Sequence, residues 1–315
     1  MVAPQFHGYG RSVVRALRSL GHRAQLLTYD RTRTALGRGL HRASEASARL
    51  GFPAGAMGER FVELELRALL DVRKPDLLLA TKLDGMSFDA WDLVARRGVK
   101  RAVWLYDDLE FMRAPDGWEE CVEYFSSYSA RDSETLAKYS CVHVPHGFDA
   151  EIRYQPRIAH EIVFVGARYE NRERTLEDLV RAGVPVRTFG RSWRGAVDPL
   201  PTHGELTRGG SYGVFAGAAG SLNLHRTPAS GDNCRVFEIP GAGGCAVSDR
   251  RLDAYFEPDE YFVFADVEGL ADVCRRVLRA PGERRVVAEK ARTTVMRRHL
   301  YRHRFADLFA AWGLT

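Results

Sequence analysis

The sequence predicts an α/β protein made of two similar halves, each built like a doubly wound parallel sheet. Short apolar runs alternate with amphipathic helical segments along the chain. The run at 161–166, Glu-Ile-Val-Phe-Val-Gly, opens a second half with the strand-and-glycine start typical of a nucleotide-binding unit. With 315 residues, 45% of them hydrophobic, the chain can bury a core in each half.

The first half opens on a short strand. Val2-Ala3-Pro4 precedes Gly8 and Gly10, which indicates a strand-to-helix turn whose strand lacks its usual initial residues. Apolar spacing predicts helices over 13–20, 61–72, 89–97 and 132–139. Strands are predicted over 24–29, 77–80, 101–106, 125–129 and 142–144. Residues 31–58 show little periodicity and predict an irregular or helical excursion.

The second half follows a linker at 150–160 that contains Pro156. Strands are predicted over 161–166, 184–189, 222–224, 245–247 and 261–264. Helices are predicted over 212–218, 234–242, 267–278, 282–298 and 301–312. Pro240 predicts a kink or a late start in the helix at 234–242, and Gly243-Gly244 should end it.

The start of the helix at 234–242 is the leading candidate site. Asp232 or Asn233 can cap it, which leaves backbone N–H groups available to a phosphate. Arg235 and Glu238 are three residues apart and share a helix face. There a cation can neutralise a diphosphate and a carboxylate can accept ribose hydroxyls. The alternative is an exposed surface ion pair.

The phrase Asn-x-Arg-x-Phe-Glu at 233–238, followed by Gly-Gly and a strand ending in Asp249, resembles the donor-site signature of CgeB-like (spore maturation protein type) glycosyltransferases. These are relatives of the group-one glycosyltransferases. The resemblance implies the GT-B fold, with two Rossmann-like domains facing across a cleft and a C-terminal helix crossing back to the N-terminal domain. In this sequence the acceptor-binding domain would correspond to 1–152 and the nucleotide-sugar-binding domain to 153–298. The helix that crosses back would correspond to 299–315.

In the wider group a Glu-x7-Glu pair flanks this helix, and its second Glu binds the nucleotide ribose. Glu238 matches that second Glu, whereas the first position falls on Ser230, a departure from the pattern. The resemblance and the chemistry together give a donor-binding set of Gly166, Arg168, Arg172, Arg226, Asn233, Arg235 and Glu238. For each arginine taken singly, the alternative is a solvated position on a helix.

The acceptor side is predicted from residues at strand ends in the first half. Asp107 and Asp108 follow the strand at 101–106, where open α/β sheets bind ligands, and Tyr106-Asp107-Asp108 resembles a Trp-x-x-Asp-Asp turn of the same family. We take these two carboxylates as catalytic candidates, Asp108 ahead of Asp107, with a helix cap as the alternative. Gly8, Tyr9 and His146 complete the expected acceptor side, and no metal site is expected.

Composition limits the classes of partner. The net charge is +5, but the arginines are interspersed with acids rather than grouped with aromatics, so nucleic-acid binding is not expected. No apolar run reaches membrane-spanning length and no signal peptide is recognised. Five scattered cysteines favour a reducing, cytoplasmic and, with the family, bacterial setting.

These patterns together predict a metal-independent glycosyltransferase that moves a sugar from a nucleoside diphosphate donor to a small-molecule or glycan acceptor. No cofactor is expected beyond the nucleotide-sugar co-substrate. The alternatives are a nucleotide-sugar epimerase or hydrolase, and a non-catalytic protein that binds nucleotide sugars. Retention or inversion at the anomeric carbon does not follow from the sequence.

Overall fold

The chain forms two compact units. The computed structural model describes residues 1–29, 39, 56–83, 85–112, 116–157, 161–195 and 200–314, so most of the excursion expected over 31–58 lies outside the described residues. Unit 1 holds Met1–Pro145 with Arg304–Thr315, and unit 2 holds His146–His303. The division at 152 and 298 that the sequence suggested stays a prediction.

Unit 1 is built on a parallel sheet. Its described strands are β1 (Val2–Ala3), β2 (Leu27–Thr28), β3 (Leu77–Thr81), β4 (Lys100–Leu105), β5 (Tyr124–Ser127) and β6 (Val142–His143). Their spatial order is β2-β1-β3-β4-β5-β6, and all neighbours run parallel. The short first strand lies inside this sheet, between β2 and β3.

Helices cover the unit 1 sheet, as the connections between parallel strands require. They are α1 (Tyr9–Ser19), α2 (Ala56–Arg73), α3 (Phe88–Arg96) and α4 (Ala130–Thr135). Ser87 begins α3 by accepting a hydrogen bond from the N–H of Ala90, and Ser129 caps α4 in the same way. Apolar side chains of α2, α3, β3 and β4 form a large part of the core.

The C-terminal helix α10 (Tyr301–Ala311) contributes its later residues to unit 1. Phe305 is fully buried, and its ring meets the edge of the Trp104 ring with a centroid distance of 5.4 Å. The Trp104 indole N–H also donates to the carbonyl of Val144 at 3.0 Å. This aromatic contact anchors the last segment of the chain to the core of β4.

Unit 2 carries a second parallel sheet. Its described strands are β7 (Ile162–Val165), β8 (Val186–Phe189), β9 (Thr202–His203), β10 (Gly220–Asn223), β11 (Ala246–Ser248) and β12 (Phe262–Val263). Their order is β12-β11-β10-β7-β8-β9, again with all neighbours parallel. The two-residue β9 has no counterpart among the predicted strands, because so short a segment carries no measurable periodicity.

The helices of unit 2 are α5 (Glu170–Arg181), α6 (Arg208–Gly217), α7 (Arg235–Gly241), α8 (Val267–Arg279) and α9 (Pro281–Arg298). Helix α7 ends as the sequence predicted. Gly243 adopts a φ of 85° and its N–H donates to the carbonyl of Pro240, while the N–H of Gly244 donates to Ile239. This pair of bonds satisfies the last carbonyls of the helix. Pro240 lies in the final turn and does not interrupt α7.

Candidate functional site

The candidate site in unit 2 lies at the carboxyl ends of β7 and β10. After β7 the chain builds β8 and β9 on one side of it and then crosses over to build β10, β11 and β12 on the other. The strand order therefore reverses between β7 and β10. In open α/β sheets this switch point leaves a crevice at the carboxyl ends of the strands, where ligands bind.

Glycines let the loops after β7 and β8 pack closely at this edge. A Cβ added to Gly166 would lie 2.9 Å from the Phe164 ring and 3.1 Å from a guanidinium nitrogen of Arg235. Gly190 has a φ of 143°, and a Cβ there would lie 2.1 Å from the carbonyl oxygen of Gly166. That same oxygen accepts the indole N–H of Trp193 at 2.7 Å, so Trp193 is a buried structural residue.

Two buried arginines meet at the switch point. Arg235 donates to the carbonyl of Leu224, directly beyond β10, at 2.7 Å and to that of Val165, the last residue of β7, at 3.3 Å. Arg172 donates to the same Leu224 carbonyl at 2.9 and 3.2 Å and to Ala167 at 3.0 Å. Within the described part of the chain, neither guanidinium forms a direct ion pair with a carboxylate, although the charge of Asp249 acts on Arg172 from nearby.

The closeness of the two guanidinium groups affects their protonation. Burial, followed by the positive charge of Arg235, lowers the pKa of Arg172 to about 9. Both guanidinium groups also lie over the Phe164 ring, at 5.4 Å for Arg172 and 5.3 Å for Arg235. A bound anion would relieve the repulsion between them, so this edge of the sheet is a candidate site for an anion.

The other two arginines of the predicted donor set are placed differently. The guanidinium of Arg226 lies 4.7 Å from the centre of the Tyr169 ring, and that of Arg172 lies 4.6 Å from the same ring. Arg226 therefore belongs to the same group of side chains. Arg168 is exposed and forms an ion pair with Glu173 at 2.6 Å.

At the start of α7, Asn233 rather than Asp232 provides a side-chain hydrogen bond to the helix backbone. The side-chain oxygen of Asn233 accepts the N–H of Arg235 at 3.0 Å, although Cys234 is the residue at the cap position. Asp232 instead faces His225. Asn233 thus orients the backbone of the residue that carries the central guanidinium.

Glu238 has a partner that the sequence did not indicate. Its carboxylate lies 3.3 Å from Nε of Arg208, the first residue of α6, and both side chains are almost fully buried. Arg208 also donates to the hydroxyl of Tyr212 at 2.8 Å, and that hydroxyl donates to Glu238 at 3.5 Å. Arg208 and Tyr212 are four residues apart and lie on one face of α6. This spacing alone does not identify them as site residues, because the sequence does not show that Glu238 is their partner.

An ionic cluster borders the arginine pair. Asp249, directly after β11, accepts hydrogen bonds from the backbone N–H of His225 at 2.6 Å and from its ring Nδ1. His225 is 1% exposed, and its Nε2 lies 3.3 Å from a carboxylate oxygen of Asp232. Arg250 completes the cluster at 3.6 Å from that oxygen and 4.0 Å from Asp249. Sequence reasoning did not identify this cluster.

Both aspartates of the cluster stay ionised at neutral pH. Burial alone would raise their pKa values, but the hydrogen bond and charge of His225, with a smaller contribution from Arg250, hold the pKa of Asp232 and of Asp249 below the ordinary value.

In unit 1, the two predicted catalytic carboxylates differ sharply. Asp108 is 5% exposed and accepts the hydroxyl of Tyr128 at 2.6 Å. Burial and the neighbouring Asp108 charge raise the pKa of Tyr128. Asp107 is 39% exposed and pairs with Nζ of Lys82 at 2.9 Å. Lys82 directly follows β3 with a φ of 64°, a left-handed conformation that is uncommon for a non-glycine residue.

The remaining acceptor-side candidates are placed as follows. Gly8 has a φ of 74° and precedes α1, so a side chain there would be strained. Tyr9 begins α1, and its ring lies 6.3 Å from the Tyr106 ring, which precedes Asp107. His146 is buried and is the first residue of unit 2.

Two general features bear on the class of protein. Among the described residues, no group of three or more His, Cys, Asp or Glu side chains is positioned to hold a metal ion. In that same part of the chain, no helix has both the length and the apolar character needed to cross a membrane.

The chain is similar to known proteins in sequence and in structure. A glycosyl transferase-like family model matches residues 170–310, which contain the arginine pair and Glu238. HepE from Anabaena, solved with UDP-glucose, is 12% identical over 100% of this chain and 99% of its own, with a TM-score of 0.65. No curated protein matches the chain.

Two further solved structures are similar. An α,α-trehalose-phosphate synthase (UDP-forming) from Burkholderia xenovorans is 13% identical over 81% of this chain and 77% of its own, with a TM-score of 0.57. A putative UDP-N-acetylglucosamine 2-epimerase from Listeria monocytogenes is 11% identical over 100% and 96%, with a TM-score of 0.58. The GT-B fold class predicted from the sequence is confirmed by these neighbours, while the crossing of the C-terminal helix back to the N-terminal domain stays a prediction.

Proposed function

We propose that this chain transfers a sugar from a nucleoside diphosphate donor to a small-molecule or glycan acceptor. The pair formed by Arg172 and Arg235 is the observation that carries the proposal. Two buried guanidinium groups whose described hydrogen-bond partners are backbone carbonyls can offer positive charge to a ligand, and a diphosphate has the matching charge. Their position at the switch point between β7 and β10 agrees with nucleotide binding.

The same arginines explain how the reaction is accelerated. When the bond between the anomeric carbon and the diphosphate oxygen breaks, negative charge grows on the departing diphosphate. Fixed guanidinium groups in a site that excludes water stabilise that charge without reorganising during the reaction. Arg226, whose guanidinium lies over Tyr169, adds a third positive group. We therefore include metal independence in the proposal.

Glu238 is assigned to the ribose of the donor. An ionised carboxylate has two oxygens that can accept hydrogen bonds from the two ribose hydroxyls. Arg208 and Tyr212 hold this carboxylate in one orientation, which lowers the entropy lost when the ribose binds. Asn233 supports the same helix at its start.

A carboxylate of unit 1 is assigned to the acceptor. Deprotonation of the attacking hydroxyl needs a base that the substrate can reach. Asp107 is accessible, whereas Asp108 is buried against Tyr128. The sequence favours Asp108, but the difference in exposure supports Asp107 as the base, with Lys82 holding its orientation and Asp108 supporting the turn.

The proposal also covers subtype and setting. The Asn-x-Arg-x-Phe-Glu phrase supports placing the chain with CgeB-like bacterial transferases. The cysteines of the described residues are free thiols, which supports a cytoplasmic location.

Calorimetric titration of the purified chain with UDP-, GDP- and ADP-glucose, and with the corresponding diphosphates, tests the proposal. The donor that binds is then incubated with and without a panel of sugars and glycans, and the products are resolved by NMR and mass spectrometry. We expect one donor to bind, to hydrolyse slowly alone, and to be consumed faster with an acceptor. Epimerised donor would indicate an epimerase, and binding without any turnover a sensor. Failure of every sugar nucleotide to bind would contradict the proposal.

A further inference from the structure

Two aromatic rings link three arginines of the candidate site in unit 2. The guanidinium carbons of Arg226 and Arg172 lie 4.7 and 4.6 Å from the centre of the Tyr169 ring. Those of Arg172 and Arg235 lie 5.4 and 5.3 Å from the centre of the Phe164 ring. Each distance is within the range of an attractive cation–π interaction. The three cations therefore form a connected series in which successive guanidinium groups share a ring.

The start of α5 places Tyr169 in this series. Tyr169 directly precedes the helix and has an extended backbone, and Arg172 lies three residues later. Residues at this spacing lie on the same side of a helix. Between them, Asn171 donates from its side-chain amide to the carbonyl of His225 at 3.0 Å. That bond holds the start of α5 against the residue that directly precedes Arg226.

The three arginines are held in different ways. Arg172 and Arg235 are buried, and hydrogen bonds to backbone carbonyls fix the guanidinium of each. Arg226 is half-buried and lies in the loop beyond β10. A long side chain has many rotamers, and holding it in one of them before a ligand arrives lowers the entropy lost on binding. The ring of Tyr169 gives the guanidinium of Arg226 a fixed surface next to Arg172.

A shared ring also offsets the repulsion between neighbouring cations. The negative face of an aromatic ring attracts a cation, most strongly where water is excluded. The Phe164 ring is fully buried and the Tyr169 ring is half-buried. A ring does this without the full negative charge of a carboxylate, which would compete with a diphosphate for the same guanidinium groups.

We propose that Tyr169 is a positioning residue of the donor site, whose ring holds the guanidinium of Arg226 beside that of Arg172 for the diphosphate. This inference rests on the proposed function. It assigns to Tyr169 no contact with the nucleoside or the sugar. The effect of the ring is therefore confined to ligands that carry the diphosphate, and it depends on Arg226.

The test is calorimetric titration with whichever of UDP, GDP and ADP wild type binds best. Tyr169→Leu removes the ring and keeps an apolar side chain. We expect the affinity for the diphosphate to fall roughly five- to thirtyfold, the effect of losing a cation–π contact in a partly desolvated site. Tyr169→Phe keeps the ring and should bind within about twofold of wild type. The affinity for the corresponding nucleoside, measured by NMR titration, should be the same in all three proteins, because the nucleoside carries no phosphate.

Arg226→Met separates positioning from packing. This variant lacks the guanidinium and should itself bind the diphosphate more weakly than wild type. If the ring acts through Arg226, adding Tyr169→Leu to Arg226→Met should weaken binding by less than about twofold more, because residues that act together are not additive. A ring that only packs against its neighbours would instead give losses that multiply.

Phe262→Leu is the matched control. Phe262 also lies under a guanidinium, that of Arg276 at 5.4 Å, but it belongs to the edge strand β12. This variant should bind the diphosphate as wild type does. Thermal melts identify any variant that fails to fold, and Tyr169→Met, whose flexible side chain adapts to the space of the ring, then replaces Tyr169→Leu.

The outcomes separate this inference from the proposed function. Unchanged diphosphate affinity in Tyr169→Leu, an equal loss in Tyr169→Phe, an equal loss for the nucleoside, or losses that multiply in the double variant would each overturn the role of Tyr169 while leaving the donor site in place. If wild type binds none of the diphosphates or sugar nucleotides, the proposed function itself fails.

Discussion

Both units are built on a six-stranded parallel sheet, and the carboxyl edges of the two sheets carry opposite chemistry. In unit 2 that edge buries Arg172 and Arg235 with no described carboxylate partner. In unit 1 it carries Asp107, paired with Lys82, next to the ring of Tyr106. In the proposed function, the first edge binds the diphosphate and the second binds an acceptor hydroxyl. A parallel sheet fixes where loop residues gather, and the identity of those residues determines what they bind.

The largest expected effect concerns the base assigned to unit 1. Asp107→Asn should lower turnover about a hundred- to ten-thousandfold, because a positioned general base contributes that much to proton transfer. Donor affinity, measured by calorimetry, should stay near the wild-type value. This result would confirm that the two edges serve different substrates.

Asp108→Asn is the matched control for that experiment. Asp108 accepts a buried hydrogen bond from Tyr128, so we expect a loss of about 1–3 kcal/mol in the free energy of unfolding and a smaller change in turnover. Chemical denaturation measures the first quantity. Near wild-type turnover in both variants would show that the pair is structural, and His7 and His146 would then be the next candidates.

The second prediction targets the guanidinium pair. Arg235→Met should weaken donor binding roughly a hundredfold, because it removes a charged group that stabilises the diphosphate. Arg235→Lys keeps the charge without the planar fork and should recover part of the loss. The control is Arg174→Met on α5, an exposed arginine paired with Glu170, which should bind the donor normally. Equal affinities in all three variants would place the diphosphate elsewhere.

The third prediction separates binding from stability at Glu238. Glu238→Gln should weaken donor binding roughly ten- to a hundredfold, since the amide presents one acceptor oxygen instead of a charged pair. Glu238→Ala should in addition lower the free energy of unfolding by about 3–5 kcal/mol, because it removes the buried carboxylate beside Arg208. Calorimetry and denaturant titration measure the two effects. Unchanged donor affinity in Glu238→Gln would contradict the ribose assignment.

The smallest expected effect is that of chelation. Because the guanidinium groups supply the positive charge for the leaving diphosphate, activity should change by less than about twofold in EDTA. The measurement is the transfer rate before and after dialysis against the chelator. Complete loss restored by Mg²⁺ or Mn²⁺ would make Asp107 and Asp108 candidate metal ligands, and would remove the contrast between the two edges.

The sheets were largely predictable because the strands of a parallel sheet are apolar on both faces. The strand predicted at 77–80 is observed as β3, one residue longer, and that at 101–106 as β4, shifted by one residue. The strand predicted at 24–29 shrinks to Leu27–Thr28. β2 pairs with β1, which has only two residues. The length of β2 is therefore set by its neighbouring strand rather than by its own residues.

By itself the sequence determined the alternation of strands and helices, the turn at Gly243-Gly244, and the presence of arginines beyond β7 and at the start of α7. These features depend on local periodicity and local backbone preference. Only the tertiary structure decided that Glu238 pairs with Arg208 rather than Arg235, that His225 joins Asp232 to Asp249, and that Asp107 is accessible while Asp108 is buried. Ion-pair partners and exposure depend on which distant segments pack together, and periodicity within a segment carries no information about that.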